Sequence, residues 1–347
     1  MNATHPMIAT NMLNAANTQT LSALGLDVGT SRIVAAQRQD KDIQFDTQLN
    51  AFVTIPFSKL TQSVLKKERI PHLVQDSEIT VYGDESERFA NLFHKETRRP
   101  MLRGVLNPDE TGSLTLVRQI VALVMGEGEG QGRRLCFSVP AAPLGATDVV
   151  NEHQADLKAM LSKLGYDPHP ISEGLAVVYG ELEGSNYTGI GISCGGGLCN
   201  VCLAYLSVPV FSFSIPKAGD FIDSSASQLR GEPATRIRTI KEESFHFNGH
   251  FVNKIHQALS NYYDDMIQAL VAALKDQFAS VQNMPKLNRP IPLVLSGGSV
   301  MPPGFRDRFE KSLREIELPV AIAEVRMASN PMVSTARGAL VAALSEM

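Results

Sequence analysis

Three short glycine-rich segments, far apart in the chain, carry the groups best suited to holding a phosphate. They are Leu26-Asp27-Val28-Gly29-Thr30-Ser31, Ile192-Ser193-Cys194-Gly195-Gly196-Gly197 and Leu295-Ser296-Gly297-Gly298-Ser299. Each follows an apolar, β-branched run that reads as a buried strand. Each then turns on glycine, where no Cβ keeps backbone N–H groups from approaching a phosphate or sugar. The first turn also carries a carboxylate, Asp27. Asp-x-Gly is common in plain β-turns, so that turn alone decides little. In order with the other two, it points to a nucleotide held between two lobes.

Strands and helices must project these turns. Residues 24–27 and 32–37 read as a hairpin closed by the first turn, with further strands at 51–55 and 78–82. Residues 58–108 read as polar and irregular, with charge runs at Lys66-Lys67-Glu68-Arg69 and 95–99 that suit a solvated face. The spacing of Leu114, Val117, Ile120, Val121 and Val124 predicts a helix over 111–125, and the glycines of 126–132 a break. A strand at 134–139 ends at Pro140, a helix over 148–164 closes on Gly165, and Ser172 stands where it can cap a helix over 174–181. The second glycine hairpin starts at 188–192 and runs on through strands 200–206 and 208–215. Helices at 220–229, 234–241 and 251–278 follow, then a strand at 293–295, a helix at 303–314, a strand at 320–325 and an Ala-rich helix at 334–344. A strand–glycine turn–strand unit thus opens each half, which predicts an α/β fold of two lobes with a cleft between them.

The 347 residues leave room for two sizeable lobes, and 44% apolar with 20% charged content fits an ordinary soluble protein. A formal charge of −4 and a pI near 6.1 offer no positive field to a nucleic-acid backbone, which argues against that partner. No apolar run is long enough to span a bilayer. The Asn-, Thr- and Ala-rich start lacks the basic and apolar regions of a signal peptide. The expectation is a mobile tail over 1–22 and a cytoplasmic protein. Cys199-x-x-Cys202 has the spacing of a metal or redox pair. On a strand, however, residues three apart face opposite ways, so packing is the expected role of Cys136, Cys194, Cys199 and Cys202. His246, His250 and His256 surround Phe245, Phe247 and Phe251 with no carboxylate or cysteine at helpful spacing. A turn of packed aromatics at Asn248-Gly249 is the expectation there, ahead of a metal site.

From residue 24 onward the chain resembles the actin-like ATPase superfamily, which includes sugar kinases and the 70-kDa heat-shock chaperones, and within it the MreB-type bacterial actins most. Asp27-x-Gly29-Thr30-Ser31 is similar to the first phosphate loop of that family, and Gly195-Gly196-Gly197 to the second. Ser296-Gly297-Gly298 with Pro302-x-Gly304 is similar to the adenosine loop. Arg99-Pro100-x-Leu102-x-Gly104-Val105, Val139-Pro140, Glu173-x-x-Ala176, Gly219-Asp220-x-x-Asp223, Ala234-x-x-Ile237-Arg238, Pro331 and Ala336-x-Gly338 resemble family segments in the same order. The resemblance implies a two-lobed actin-like fold, each lobe a mixed sheet of the ribonuclease-H-like type flanked by helices. It implies a first lobe over 23–165, to which the closing helix 330–347 returns, and a second over 166–329.

It also implies ATP, with Mg²⁺, as the ligand. Gly29, Thr30 and Ser31 would donate to its phosphates, as would Ser193 and the backbone of Gly195, Gly196 and Gly197. Asp27 would hold the hydrated metal, since Mg²⁺ prefers carboxylate oxygen and retained water. Glu173 would orient the attacking water. Arg238 and Lys241 would flank the adenosine, Asp220 would bond the ribose or brace the cleft, and Gly297, Gly298 and Ser299 would admit base and sugar. The second loop departs from the family pattern. Ser193 stands where an Asp is expected, and Leu198 and Cys199 where two threonines are. Ser193 brings no charge to a metal and Leu198 cannot orient water. Binding survives on backbone donors, and hydrolysis is expected to be slow or absent.

The resulting expectation is a self-assembling, cytoskeletal actin homologue. One alternative is an ATP-gated switch or pseudo-ATPase that docks a protein partner without polymerising. The other is a small-molecule kinase of the same superfamily, disfavoured by chain length and by the lack of an acidic base in a substrate pocket. Met7, Ile8, Met12 and Leu13 make a weak apolar face without the basic residues of a membrane-lying helix, so membrane contact is a minor possibility.

Overall fold

The computed structural model describes residues 23–345 except 127–131, 144–147, 248, 250, 252, 283 and 288. The expected N-terminal tail, the apolar face at Met7 to Leu13 and most of the 126–132 break lie outside the described residues.

Strands β1 (Leu24–Val28), β2 (Arg32–Gln39) and β3 (Asp42–Leu49) form an antiparallel meander. Next come β4 (Phe52–Pro56), α1 (Lys59–Lys67), β5 (His72–Gln75), β6 (Glu78–Tyr82) and α2 (Glu85–Leu92). They build a small unit of their own, a sheet in the order β4-β6-β5 whose core includes Leu65 and Phe89 from the two helices. This corrects the expectation of irregular structure over 58–108. Both helices are short and mostly polar, burying only Leu65 in α1 and Ser86, Phe89 and Ala90 in α2, while Leu60 and Val64 of α1 and Leu92 of α2 are exposed, so their apolar spacing is a poor guide to a buried face. The hairpin β7 (Met101–Leu102) and β8 (Val105–Leu106) leads to α3 (Ser113–Met125), β9 (Arg134–Val139), α4 (Asp148–Lys163) and β10 (Asp167–Ser172).

The strand β10 was not expected, because its sequence holds two prolines. It is tolerated because β10 is an edge strand that pairs only with β9, where a missing N–H costs least. Ser172 makes no capping hydrogen bond to the helix that follows, contrary to expectation. It is still paired with Val139 as the last residue of β10.

After α5 (Glu173–Glu181) the pattern repeats with β11 (Gly189–Cys194), β12 (Cys199–Tyr205) and β13 (Val208–Ile215). Then follow α6 (Gly219–Arg230), α7 (Ala234–Glu243), α8 (Lys254–Ser280), β14 (Ile291–Ser296), α9 (Phe305–Arg314), β15 (Ile322–Met327) and α10 (Ser334–Ser345). The two main sheets run β3-β2-β1-β9-β10 and β13-β12-β11-β14-β15. In each, three antiparallel strands are followed by two parallel ones. The lobes therefore share one topology, with little sequence in common to announce it.

Alternation along the strands separates the cores. On β9, Leu135, Phe137 and Val139 face α3 and α4, while Cys136 faces α10. On β12, Cys199 packs with α6, α8 and α9, while Cys202 packs with the α5 side. The CxxC thiols thus sit on opposite faces of one sheet, as strand geometry requires. All four cysteines are buried.

The centre of the molecule is the crossing of α5 and α10, sandwiched between the sheets. A Cβ on Gly338 of α10 would overlap the Ala176 carbonyl of α5, and one on Gly25 of β1 would overlap the Ala336 carbonyl and the Leu340 nitrogen of α10. On the other side, a Cβ on Gly174 of α5 would stand 2.6 Å from the Cys202 nitrogen. Glycine is required here by space: backbone meets backbone from one sheet through two helices to the other.

Candidate functional site

The ends of β1, β11 and β14 open into one cleft of about 400 Å³ between the lobes. The first-loop residues Asp27, Gly29, Thr30 and Ser31 line it beside Glu173 and the second-loop residues Ser193, Gly195, Gly196 and Gly197. Asp220, Arg238, Lys241, Gly297, Gly298 and Ser299 complete the expected set. Every residue singled out from the sequence is thus brought to the same crevice, but several are used differently from the expectation.

The two phosphate-loop candidates close by the same bond. Gly29 donates its N–H to the Arg32 carbonyl and Gly195 to the Leu198 carbonyl, each at 3.0 Å. Those two N–H groups close the turns and are not free for a ligand. Among the described residues, the N–H groups of Thr30, Ser31, Gly196 and Gly197 donate to no backbone carbonyl, and these are the donors left to an anion. The loop carbonyls are turned away and tied. Asn50, fully buried, donates from its side chain to the Gly29 carbonyl at 2.9 Å. The Gly195 carbonyl accepts from Gly219 N–H at 3.1 Å and from the Ser299 hydroxyl at 2.7 Å. Ser299 is therefore a brace between the second and third loops. The loop tips touch: a Cβ on Gly196 would overlap the Ser31 hydroxyl, and one on Gly197 would stand 2.5 Å from the Thr30 hydroxyl. Thr30 Oγ1 itself accepts from Gly104 N–H at 3.0 Å.

Two carboxylates lie at the floor. Asp27, at the end of β1, accepts from the Ser138 hydroxyl at 2.7 Å, and Ser138 in turn accepts from Val28 N–H at 3.0 Å. Burial pushes the Asp27 carboxyl up to about 6, partly offset by the Ser138 bond. Glu173, the first residue of α5, accepts from Ser193 Oγ at 3.2 Å. Burial, and then the charge of Asp27, push it up to about 8, against the Ser193 hydroxyl that donates to it. Without a ligand, Glu173 is thus held largely protonated at neutral pH. Ser138 and Asn200 were not singled out from the sequence. Each is a polar residue in the middle of an apolar strand, and that is the signal that could have exposed them. Asn200 lies directly across the hairpin from Ser193 and donates nothing to solvent, since it is fully buried.

At the mouth, Asp220 forms an ion pair with Arg99 at 2.6 Å, so it braces the cleft. At the far end, Lys241 and Arg238 both pair with Asp223, at 2.8 and 3.4 Å, and Lys241 and Asp223 are buried. Both cations share the one Asp223 carboxylate, which offsets one of their two charges, and Phe245, Tyr263, Met301 and Pro302 add an apolar lining to the cleft suited to a flat base. Gly297 adopts φ +92°, a conformation natural only to glycine, and lets the third loop pass against the Cys194 backbone. Leu198 is buried against Gly104 and Pro140 of the opposite lobe, which accounts for an apolar residue at the tip of the second hairpin. Phe245, Phe247 and Tyr263 pack with centroids 5.0 to 5.4 Å apart, as expected of an aromatic turn; Asn248 and His250 lie outside the described residues.

Among the described residues, no group of three His, Cys, Asp or Glu gathers around one point. Asp27 fits the other kind of Mg²⁺ site, in which one carboxylate and retained waters share the ion with phosphates.

Solved structures with this fold include the MamK double helical filament, with a TM-score of 0.71 and 19% identity over 94% of this chain and 99% of that one. MreB 5 of Spiroplasma citri bound to AMPPNP gives a TM-score of 0.65 and 15% identity over 92% and 95%. The ethanolamine utilization protein EutJ from Carboxydothermus hydrogenoformans gives 0.55 and 14% over 92% and 89%. All three are actin-like ATPase superfamily members, and the two-lobed actin-like fold is shared nearly end to end. No curated protein matches the sequence. The profile of the Volactin family matches residues 22–343, and the chain belongs to that family.

Proposed function

We propose that this chain is an actin-like cytoskeletal protein that binds ATP with Mg²⁺, assembles with copies of itself in the cytoplasm, and hydrolyses its nucleotide slowly or not at all. The observation that carries the reading is the convergence of three glycine turns on one cleft, with four N–H groups that donate to no backbone carbonyl at the touching tips of the first two. Such an array favours a polyanion, while the apolar end beyond Asp223 suits a base. Asp27 would hold the ion through water, and a bound divalent cation favours the ionised form of nearby carboxylates. Self-assembly is supported by the likeness to a protein solved as a double helical filament. Among the described residues, no helix is long and apolar enough to cross a membrane.

Slow turnover follows from the second loop. Glu173 is bonded to Ser193, which brings no charge to a metal, and Leu198, buried near the tip of the same hairpin, offers no polar atom to orient a water. The double variant Ser193→Asp, Leu198→Thr is expected to raise ATP-dependent phosphate release about a hundredfold, the low end for a restored general base and its water. It should also lose some stability, since Leu198 is buried. Unchanged release from a folded double variant would contradict this account of the loop.

The direct test of the reading is a nucleotide titration with and without Mg²⁺. Saturable ATP binding, weakened when Mg²⁺ is chelated, is the expected result; no binding in either condition would remove it. Sedimentation with and without ATP then separates a filament former from a non-polymerising switch.

A further inference from the structure

Of the cations lining the cleft, Arg238 and Lys241 are tied to Asp223 at the base end. Arg32, next to Ser31 in the first hairpin, also lines the cleft, and Arg99 reaches the loop tips from a separate segment: a Cβ on Gly196 would stand 3.4 Å from its Nη1, on the side where Ser31 also lies. That guanidinium is paired with Asp220 Oδ1 at 2.6 Å, and both side chains are partly exposed to the cleft. The pair joins two separate segments, the one entering β7 before α3 and the N-terminus of α6, across the cleft mouth. Asp220 is held independently through its backbone, whose N–H donates to the Gly196 carbonyl at 2.8 Å. Its carboxylate can therefore leave Arg99 without unseating α6.

We propose that Arg99 is the residue by which this chain distinguishes a nucleoside triphosphate from a diphosphate, exchanging the Asp220 carboxylate for the terminal phosphate. The inference rests on the nucleotide reading above. A planar guanidinium matches a phosphate as well as a carboxylate, with two parallel donors. The charge stays paired before and after the exchange, so no bare cation is left in the cleft. A diphosphate ends one group short and leaves the Arg99–Asp220 tie in place. A triphosphate breaks it, which couples the length of the ligand to a contact between the two sides of the cleft.

The test compares affinities for ADP and for a non-hydrolysable ATP analogue, with Mg²⁺ present, in the full chain and three variants. In Arg99→Gln the preference for the triphosphate is expected to fall about tenfold, the effect of one lost charge-assisted hydrogen bond. Arg99→Lys, which keeps the charge but not the fork, should fall between the two, and it carries the test if the glutamine variant does not fold. Asp220→Asn frees Arg99 from its competitor, so the preference should rise. A purely structural bridge would instead weaken both ligands alike in every variant, leaving the ratio unmoved, and that result overturns the exchange. A drop in preference in Asp220→Asn overturns it as well. If the unaltered chain binds neither nucleotide, the underlying reading fails too; if it binds both and only the ratio resists mutation, the exchange alone is lost.

Discussion

Replacing Gly338 by alanine is expected to destabilise the protein by about 3 kcal/mol or more, beyond the usual range for a small overpacking change. In an isolated helix the same substitution would help by about 1 kcal/mol, because alanine loses less freedom on folding. The sign is decided by the crossing. The new methyl would overlap the Ala176 carbonyl oxygen, an atom of the facing helix backbone that no rotamer change can move. Relief requires α5 and α10 to separate, and α10 is also pressed onto β1 at Gly25. The contrast is Gly184, around which nothing lies within 4 Å; alanine there should change stability by no more than about 0.5 kcal/mol. Urea unfolding of the two variants measures the difference. Similar midpoints for both would mean that the helices are not in backbone contact.

The second large effect concerns Glu173 and pH. Its carboxyl is raised from 4.5 to about 8 in the folded chain. Between those values the folded protein keeps a proton that the unfolded chain releases, so the stability of the ligand-free protein falls as pH rises through that window. Asp27, raised from 3.8 to about 6, adds a slope of the same sign at the lower end. The stabilisation is fully present below the ordinary carboxylate range and is lost by the time pH passes about 8. Glu173→Gln keeps the shape and removes the charge. The variant is expected to lose the slope between about pH 6 and 8 and to be the more stable protein at pH 9, by an amount on the order of a few kcal/mol. Denaturant unfolding at pH 5, 7 and 9 is the measurement. Parallel profiles for the two proteins would show that Glu173 ionises without penalty in its pocket.

What could be read in advance followed from how local each signal was. The glycine turns announced themselves because strand, bend and strand are contiguous around Asp27, Ser193 and Gly297. The carboxylates' true partners did not. Ser138 reaches Asp27 across 111 positions, and Arg99 reaches Asp220 across 121, both through sheet and lobe assembly rather than through spacing. Even within one hairpin, the facing of Asn200 and Ser193 depends on strand register, which a single sequence states only weakly. The small β4-β6-β5 unit escaped for another reason. Its helices are solvated on most sides, with Leu60 and Leu92 exposed, so apolar spacing and burial disagree. The double role of Gly29 and Gly195 also lay beyond reach. Glycine at a turn signals close approach, but only the coordinates show that these two N–H groups are spent on the turn itself.

Glu173 heads α5, and α5 is one of the two rods that cross at the middle of the molecule. The acid therefore stands beside the point where the two lobes are tied most closely together. When one half of a hinged body turns against the other, a point moves in proportion to its distance from the axis. The hairpin tips at Gly196 and Ser31, out beyond the strand ends, would sweep through an arc, while the carboxyl near the axle would stay almost still. On the proposed function, any widening or narrowing of the cleft would change how closely the loop tips approach a bound anion, and would leave the Glu173 carboxyl nearly in place.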